Sequence, residues 1–478
     1  MGDAIEEPNV PIAESRRRRL AAAALVTAFA VAACGSATAV VIDTDLGTVD
    51  DASSATNARF DSSLVHEISI TFQSDDYGAM VVTFSDSGEK EWIEAAVTID
   101  GASYERAGIR LKGNSSLRGL RDGADGRGLA GGNASREELE ALPWPIRLDK
   151  YVEGQNHEGI ANLVVRANTS ASSLNEAVAL ELLDLAGLAS EEAIAVRFTV
   201  NNGSPVLRLV VELPDEVWMA EEFSADGTLY KAESGGDYSY RGDDPAPYEE
   251  VFDQESGEAN ADLTPLIEFL AFINESDDAT FAAELADHLD VASFATYLAM
   301  QELIANFDDI DGPGNNSYLY YDPDTGRFTV VPWDHNLAFG GPGGPGRAPG
   351  AAGAPAGDAG AGVTPMDPGG AVQRQSVGSS DEAPVESPGD GRADGFDRPG
   401  GHEGSNVLAE RFLAVDDFAA MYEERLASLC ALLYDSGVAE AVVDEWAAVL
   451  TSRASDLIDP DTVGIEAAAI VAIIDGSQ

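Results

Sequence analysis

The sequence is short of basic residues. Its 478 residues carry 28 Lys+Arg against 84 Asp+Glu, a formal net charge of −56. Four of the basic residues are lysines: Lys90, Lys112, Lys150 and Lys231. Without basic patches the chain has nothing to neutralise the phosphates of a nucleic acid or to dock on anionic lipid headgroups. Cysteine is nearly absent, with Cys34 and Cys430 alone. No disulfide framework can hold such a chain, so a hydrophobic core must. Cys430 lies in an apolar helical stretch and reads as a small buried hydrophobe. Histidine is scarce, at five residues, and His335 has no clustered partners of the kind zinc needs. No Ser-His-Asp hydrolase motif is present. Apolar residues, by contrast, make up 44 %, too many for a disordered acidic chain. The excess acid reads as a solvated surface of the kind that keeps proteins soluble at high salt. The length suits two or three domains, or one large two-lobed unit.

The N-terminal segment reads as an address. Arg16 to Arg19 form a basic region, and Leu20 to Ala33 a short run of small apolar residues. The run is too short for a spanning helix and reads as a signal peptide over 1–33. It ends in Val31-Ala32-Ala33-Cys34-Gly35, a string that resembles a bacterial lipobox with Cys34 as the lipidated residue. The expectation is an exported lipoprotein, anchored to the membrane by Cys34 on its extracytoplasmic face, with residues 34–62 as a flexible tether.

Beyond the tether the patterns change once. His66–Phe72, Trp92–Ile99, Pro143–Leu148, Ile194–Val200 and Val206–Leu213 read as strands, with Asp100-Gly101 as a hairpin turn. Ser173-Leu174-Asn175-Glu176 has capping-box spacing before an apolar helix that Gly187 stops. Residues 263–306 are helical in pattern, with Asp290 as an N-cap. A hairpin follows, Tyr318–Tyr321 and Phe328–Trp333, turning at Asp322-Pro323-Asp324-Thr325-Gly326. Residues 341–404 hold 18 glycines and 9 prolines, a composition expected of a disordered insert. Helical periodicity returns over 405–478.

Two acidic clusters bracket the hairpin. Asn306-Phe307-Asp308-Asp309-Ile310-Asp311 to Asn315-Asn316 precedes it, and Trp333-Asp334-His335-Asn336 follows it. A hairpin brings its ends together, so both clusters should share one edge. Carboxylates and carboxamides converging there suit a hard divalent cation. Phosphoryl transfer uses such a set: one Asp to orient the attacking hydroxyl, an Asn and a second Asp for metal, and a basic residue on the phosphates. Asp311 and Asn316 stand five apart, as do the catalytic-loop Asp and Asn of protein kinases.

At these residues the sequence resembles the CotH (spore coat protein H) kinase family. The resemblance rests on Asn306-Phe307-Asp308, on Asn315-Asn316-Ser317-Tyr318-Leu319-Tyr320 and on Pro332-Trp333-Asp334-His335-Asn336. It extends to Gly108-Ile109-Arg110-Leu111-Lys112-Gly113-Asn114-Ser115-Ser116, then in order to Asn162-Leu163 through Arg166, Ser173 to Gly187, Glu212 and Leu229-Tyr230-Lys231, and covers about residues 65–340. It implies an α+β, atypical protein-kinase-like two-lobed fold, strand-rich in its N-terminal part and helical in its C-terminal part. The core would span 63–340, with an N-lobe over about 63–235 and a C-lobe starting over about 260–340, completed by 405–478. The resemblance further implies ATP, Mg²⁺ or Mn²⁺, and γ-phosphate transfer to Ser/Thr of partner proteins. Asp334, Asn316 and Asn336 would be metal residues, and either Asp308 or Asp311 catalytic. Lys112, Arg147 and Lys231 are the candidates for the phosphates, and Glu176 would pair the basic residue or serve in the capping box. The family often has Tyr where Ser317 stands, and a second acid where Asn336 stands. Ser376, Ser379, Ser380 and Ser387 in the insert are candidate self-phosphorylation sites. The rival reading is a non-catalytic surface-binding or adhesion protein on the same scaffold. The sequence fixes no oligomeric state.

Overall fold

Seven strands of the N-terminal half close into a barrel. The computed structural model describes residues 60–113, 117, 120, 138–223, 227–233, 236–249, 251–256, 262–311, 316–340 and 406–476. The signal segment, Cys34, the tether before Phe60, Asn114–Ser116 and the 341–404 stretch with its four serines lie outside the described residues. Residues 60–62, expected in the tether, already belong to the fold: Phe60 is buried in the barrel core.

The elements run in the order β1 (Val65–Thr71), α1 (Ser74–Ser87), β2 (Ile93–Ile99), β3 (Ala102–Ile109), β4 (Trp144–Arg147), β5 (Asn162–Val165), α2 (Leu174–Leu185), β6 (Ala193–Val200), β7 (Val206–Glu212) and α3 (Glu216–Glu222). There follow β8 (Thr228–Ala232), β9 (Phe252–Gln254), α4 (Thr264–Glu275), α5 (Asp278–His288), α6 (Val291–Leu303), β10 (Ser317–Asp322) and β11 (Arg327–Pro332). The chain ends in α7 (Val407–Leu413), α8 (Asp416–Leu429), α9 (Val438–Arg453) and α10 (Pro460–Gly476). The fold is therefore α+β, strand-rich first and helical later. The sequence patterns gave no sign of barrel closure, nor of α1. Val81-Val82-Thr83 is a β-branched run that disguises α1, which buries Met80, Val81 and Phe84 on one face.

The barrel order is β1-β2-β3-β4-β5-β7-β6, closed by a parallel pairing of β1 with β6. Its other pairings are antiparallel. The β2–β3 turn places Asp100 at φ 47° and Gly101 at φ 85°, the left-handed pair that a two-residue hairpin needs. Inward residues Ile70, Val97, Ile109, Trp144, Val196 and Phe198 fill the interior, each at most 1 % exposed, as a barrel of this size requires.

A second antiparallel sheet, β11-β10-β8-β9, joins the helical half. Its register pairs Ser317 with Pro332 at the open end of the β10–β11 hairpin and Tyr318 with Lys231 on β8. Asp290 caps α6 by accepting from Ser293 N–H at 3.0 Å. The helix stops at Leu303, short of the Asn306 expected from sequence, because Ala305 turns left-handed at φ 48°. The C-terminal helices are tied back by Trp446 Nε1 donating to Glu181 at 2.9 Å and by a two-pronged Arg197–Asp456 pair at 2.7 and 2.9 Å. Among the described residues no single helix is long and apolar enough to cross a membrane.

Trp144 packs against Phe72 and Tyr77, and its indole donates to the Leu139 carbonyl at 2.8 Å. Trp144→Ala should cost about 3–5 kcal/mol of stability. Urea or guanidinium unfolding checks this, and a loss below about 1 kcal/mol would contradict a packed barrel core.

Candidate active site

Arg166 stands directly after β5, at the rim of the barrel, and is 7 % exposed. Its Nη2 donates to Glu176 Oε1 at 2.8 Å and also to Asp334 Oδ1. Glu176 comes from the first turn of α2 and Asp334 from the residue pair after β11. One guanidinium thus bridges two carboxylates from distant elements. Burial opposes protonation of Arg166, but Asp334 and Glu176 outweigh it and hold the guanidinium charged. Burial likewise opposes ionisation of Asp334, and Arg166 outweighs it, so this carboxyl lies below the ordinary range. Glu176 goes the other way: burial, with repulsion from Asp334, lifts it despite Arg166.

Glu176 is therefore an ion-pair residue and not the capping-box partner its spacing suggested. Ser173 sits at φ 56° and makes no side-chain cap to α2. Asp334 is itself left-handed, φ 64° and ψ 61°. For a residue with a Cβ that is a strained conformation of the kind found where geometry is imposed by surroundings. The imposing contacts lie two residues on. The Asn336 carbonyl accepts from Thr169 Oγ1 at 2.8 Å and Asn175 Nδ2 at 2.7 Å. Asn336 thus serves through its backbone, whatever its side chain does.

The other acidic cluster meets this one at the hairpin's open end. Asn316 Nδ2 donates to the Asp308 carbonyl at 2.8 Å and to Asp308 Oδ2 at 3.0 Å. Burial, then the negative charge of Asp334, raises the Asp308 carboxyl, and the Asn316 bond offsets part of this. Asp308 and Asp334 are thus electrostatic neighbours. Asp311 is exposed, and its charge reaches the hydroxyls of Tyr297 and Tyr422. Beside Asp308, Asn306 is held by Gln301, whose other contact is the buried His335 at 3.2 Å. Burial drives the His335 imidazole down to about 4, so it is neutral at physiological pH.

Two of the candidate cations reach the site and one does not. Lys112 Nζ lies 4.4 Å from the centre of the Trp333 ring, and the Arg166 guanidinium 5.8 Å from the same ring. Burial, with repulsion from Lys231 and Arg166, lowers the Lys112 ammonium to about 7. Lys231 pairs with Glu233 and lies among Glu233, Asp253 and Glu255, carboxylates whose titration it also influences. Arg147 pairs instead with Asp149 at 2.9 Å. Ser317 is fully buried and shares a 2.8 Å hydrogen bond with the Tyr238 hydroxyl.

The sequence reading gave no site role to Arg166, Glu191 or Glu255. Arg166 had two signals: it is a charged residue ending the apolar run Leu163-Val164-Val165, and it closes the family-like stretch from Asn162. In so acidic a chain Glu191 and Glu255 had none. Glu191 is 3 % exposed, its Oε1 has no hydrogen-bond partner, and its field reaches Arg166 and Glu176.

Among the described residues no group of three or more His, Cys, Asp or Glu is arranged to hold a metal. The donor set at the hairpin is two carboxylates and a carboxamide, Asp308, Asp334 and Asn316. That fits magnesium, which takes one or two carboxylates and leaves the rest of its shell to water and phosphate. It also fits the mutual repulsion of Asp308 and Asp334, which a cation would relieve.

The family description "CotH kinase protein" matches residues 109–456. The chain belongs to the CotH kinase family. It is also 26 % identical over 174 residues to the inner spore coat protein H of Bacillus subtilis (strain 168). That match covers 35 % of this chain and 47 % of the relative, so the chain spans about half of the curated relative's length. The family match takes in Arg166, Glu176, Asp308, Asn316 and Asp334.

Arg166→Met should remove the cation that bridges Glu176 and Asp334 and destabilise the protein by about 3–5 kcal/mol, since it strands the buried Glu176 and the half-buried Asp334. Equilibrium unfolding measures it. Glu191 offers a pH signature. Its carboxyl titrates near 4.5 when unfolded and is pushed up to about 8 by burial in the folded chain. Between those values the folded chain keeps a proton that the unfolded chain has released, so this group's contribution to stability falls as pH rises. Glu191→Gln should flatten that part of the stability profile, as unfolding midpoints at about pH 5 and about pH 8 will read.

Proposed function

We propose that the chain is a CotH-like atypical protein kinase, transferring the γ-phosphate of ATP to Ser or Thr of partner proteins with Mg²⁺ or Mn²⁺. The observation that carries this reading is the meeting of Asp308, Asn316 and Asp334 at one hairpin end, beside the buried Glu176–Arg166 pair. In this reading the barrel and α2 act as the first lobe of a kinase-like arrangement, and the β8–β11 sheet with the helices acts as the second. Asp334 and Asn316 would hold the metal, which when bound neutralises charge on the phosphates. Asp308 orients the acceptor hydroxyl and takes its proton, a task helped by a carboxyl lifted above its ordinary value. Lys112, on the Trp333 ring, and Lys231 supply positive charge for the phosphates. Arg166 keeps Asp334 ionised and in place.

The similarity to a spore coat protein supports an extracellular or coat-associated setting. With the lipobox-like string at Cys34, we read the protein as a surface lipoprotein whose substrates are neighbouring surface or coat proteins.

The test is transfer from radiolabelled ATP with Mg²⁺ or Mn²⁺ to the chain itself or to basic model proteins. Asp334→Ala and Asp308→Asn should each lower kcat by about 1000-fold or more, as loss of a reacting or metal-holding group does. Asp311→Asn should stay within about threefold of wild type, because Asp311 is exposed and in this reading Asp308 takes the proton. Nucleotide-free behaviour throughout, with no thermal shift on adding ATP and metal, would favour the non-catalytic binding protein instead.

A further inference from the structure

We infer that Glu466 is a positioning residue for the Glu176–Arg166–Asp334 chain, acting from the last helix of the protein. The inference rests on the kinase reading for its consequence in catalysis, and on contacts alone for its structural part. Glu466 lies on α10, ten residues beyond the end of the family match at 456. Its carboxylate accepts four hydrogen bonds from the loop between β5 and α2. The donors are Ser170 Oγ at 3.1 Å, Ala171 N–H at 2.8 Å, Ser172 N–H at 3.1 Å and Ser172 Oγ.

The two serines pass this anchorage on. Ser170 Oγ accepts from Ser173 N–H at 3.0 Å, and Ser172 Oγ accepts from Leu174 N–H at 3.1 Å. These are donors at the entry to α2, where the usual N-cap side chain is missing because Ser173 is left-handed. Glu466 therefore caps α2 at one remove, and its negative charge sits at the positive end of that helix. Glu176 is two residues further on, within the same first turn, and reaches Arg166 at 2.8 Å.

The same loop grips the other carboxylate. Thr169 in the loop and Asn175 in the first turn of α2 both donate to the Asn336 carbonyl, two residues after Asp334. Both partners of Arg166 thus hang from residues 169–176, and that segment is fixed to the rest of the protein by Glu466. A carboxylate is required: its oxygens meet only donors, and an amide would turn an NH₂ group towards N–H and O–H.

The experiment uses the full chain carrying Glu466→Gln. The expected result is a folded protein whose kcat falls about 10- to 100-fold, the usual effect of losing a group that orients a catalytic one, while KM for ATP changes less. Amide hydrogen exchange should quicken over 169–176 and also over 334–338. Combined with Glu176→Gln, the Glu466→Gln change should add no further loss, since both act through one pair. Ser172→Ala, which removes one hydroxyl donor, should move the same readouts in the same direction by less, and stands in if Glu466→Gln does not fold. Unchanged exchange at 334–338, or losses that multiply in the double variant, would overturn the inference. A wild-type chain without phosphotransfer overturns the kinase reading instead, and the exchange pattern then decides the positioning role by itself.

Discussion

A single buried guanidinium joins the parts of this protein. Arg166 follows Val165 of the barrel core, Glu176 precedes Ala177 of the helical core, and Asp334 follows Trp333 of a third apolar cluster. Each core is apolar and indifferent to the direction in which its neighbours sit. The charged chain is not indifferent, because a guanidinium presents its donors in a fixed plane and does not lose its proton. Burying it is unfavourable unless both carboxylates are in place. The charged chain thus adds direction to the placement of barrel, α2 and hairpin, which share one apolar core that supplies the bulk of the stabilisation.

That arrangement gives the charge balance a local meaning. The chain as a whole has three acids for each base, yet two of its four lysines and a buried arginine gather at one place. Lys112 rests on the Trp333 ring and Lys231 is carried in by its register opposite Tyr318. Carboxylates at 233, 253 and 255 offset them. The site is therefore a compact alternation of charge and not a basic patch, which suits a small anionic ligand accompanied by a cation better than a long polyanion.

Much of this geometry was legible in the chain, and the rest was hidden for identifiable reasons. The hairpin and its two acidic ends follow from alternation and turn chemistry, both local properties. The Asp290 cap and the helices around it are local as well. Barrel closure depends on β1 meeting β6, and no window of sequence contains both. Glu176 was visible as a residue but ambiguous in role, because Ser173 and Glu176 have the spacing of a capping box while the Ser173 backbone turns the other way. Arg166 was one arginine closing a family-like stretch, and its role shows only in its burial between two carboxylates. Between Asp308 and Asp311 spacing could not choose. In the structure Asp308 is bound by Asn316 and Asp311 is exposed.

The parallel seam of the barrel has a consequence for how the chain assembles. Ile68 pairs with Ile99 on one side and Phe198 on the other. The first contact is a near neighbour, while the second spans more than a hundred residues and carries a loop-closure cost before any of its contacts can form. During synthesis β1 and β2 can pair early, but the free edge of β1 stays open until β6 emerges. In that interval an apolar strand has unsatisfied backbone groups on one side, the condition under which chains pair with one another. Glu67, Ser69 and Thr71 alternate with the buried Ile68 and Ile70, and in the finished barrel Glu67 lies opposite Arg197. The polar residues that face outward at the end of folding are the same ones that make the unfinished edge a poor template for a second chain.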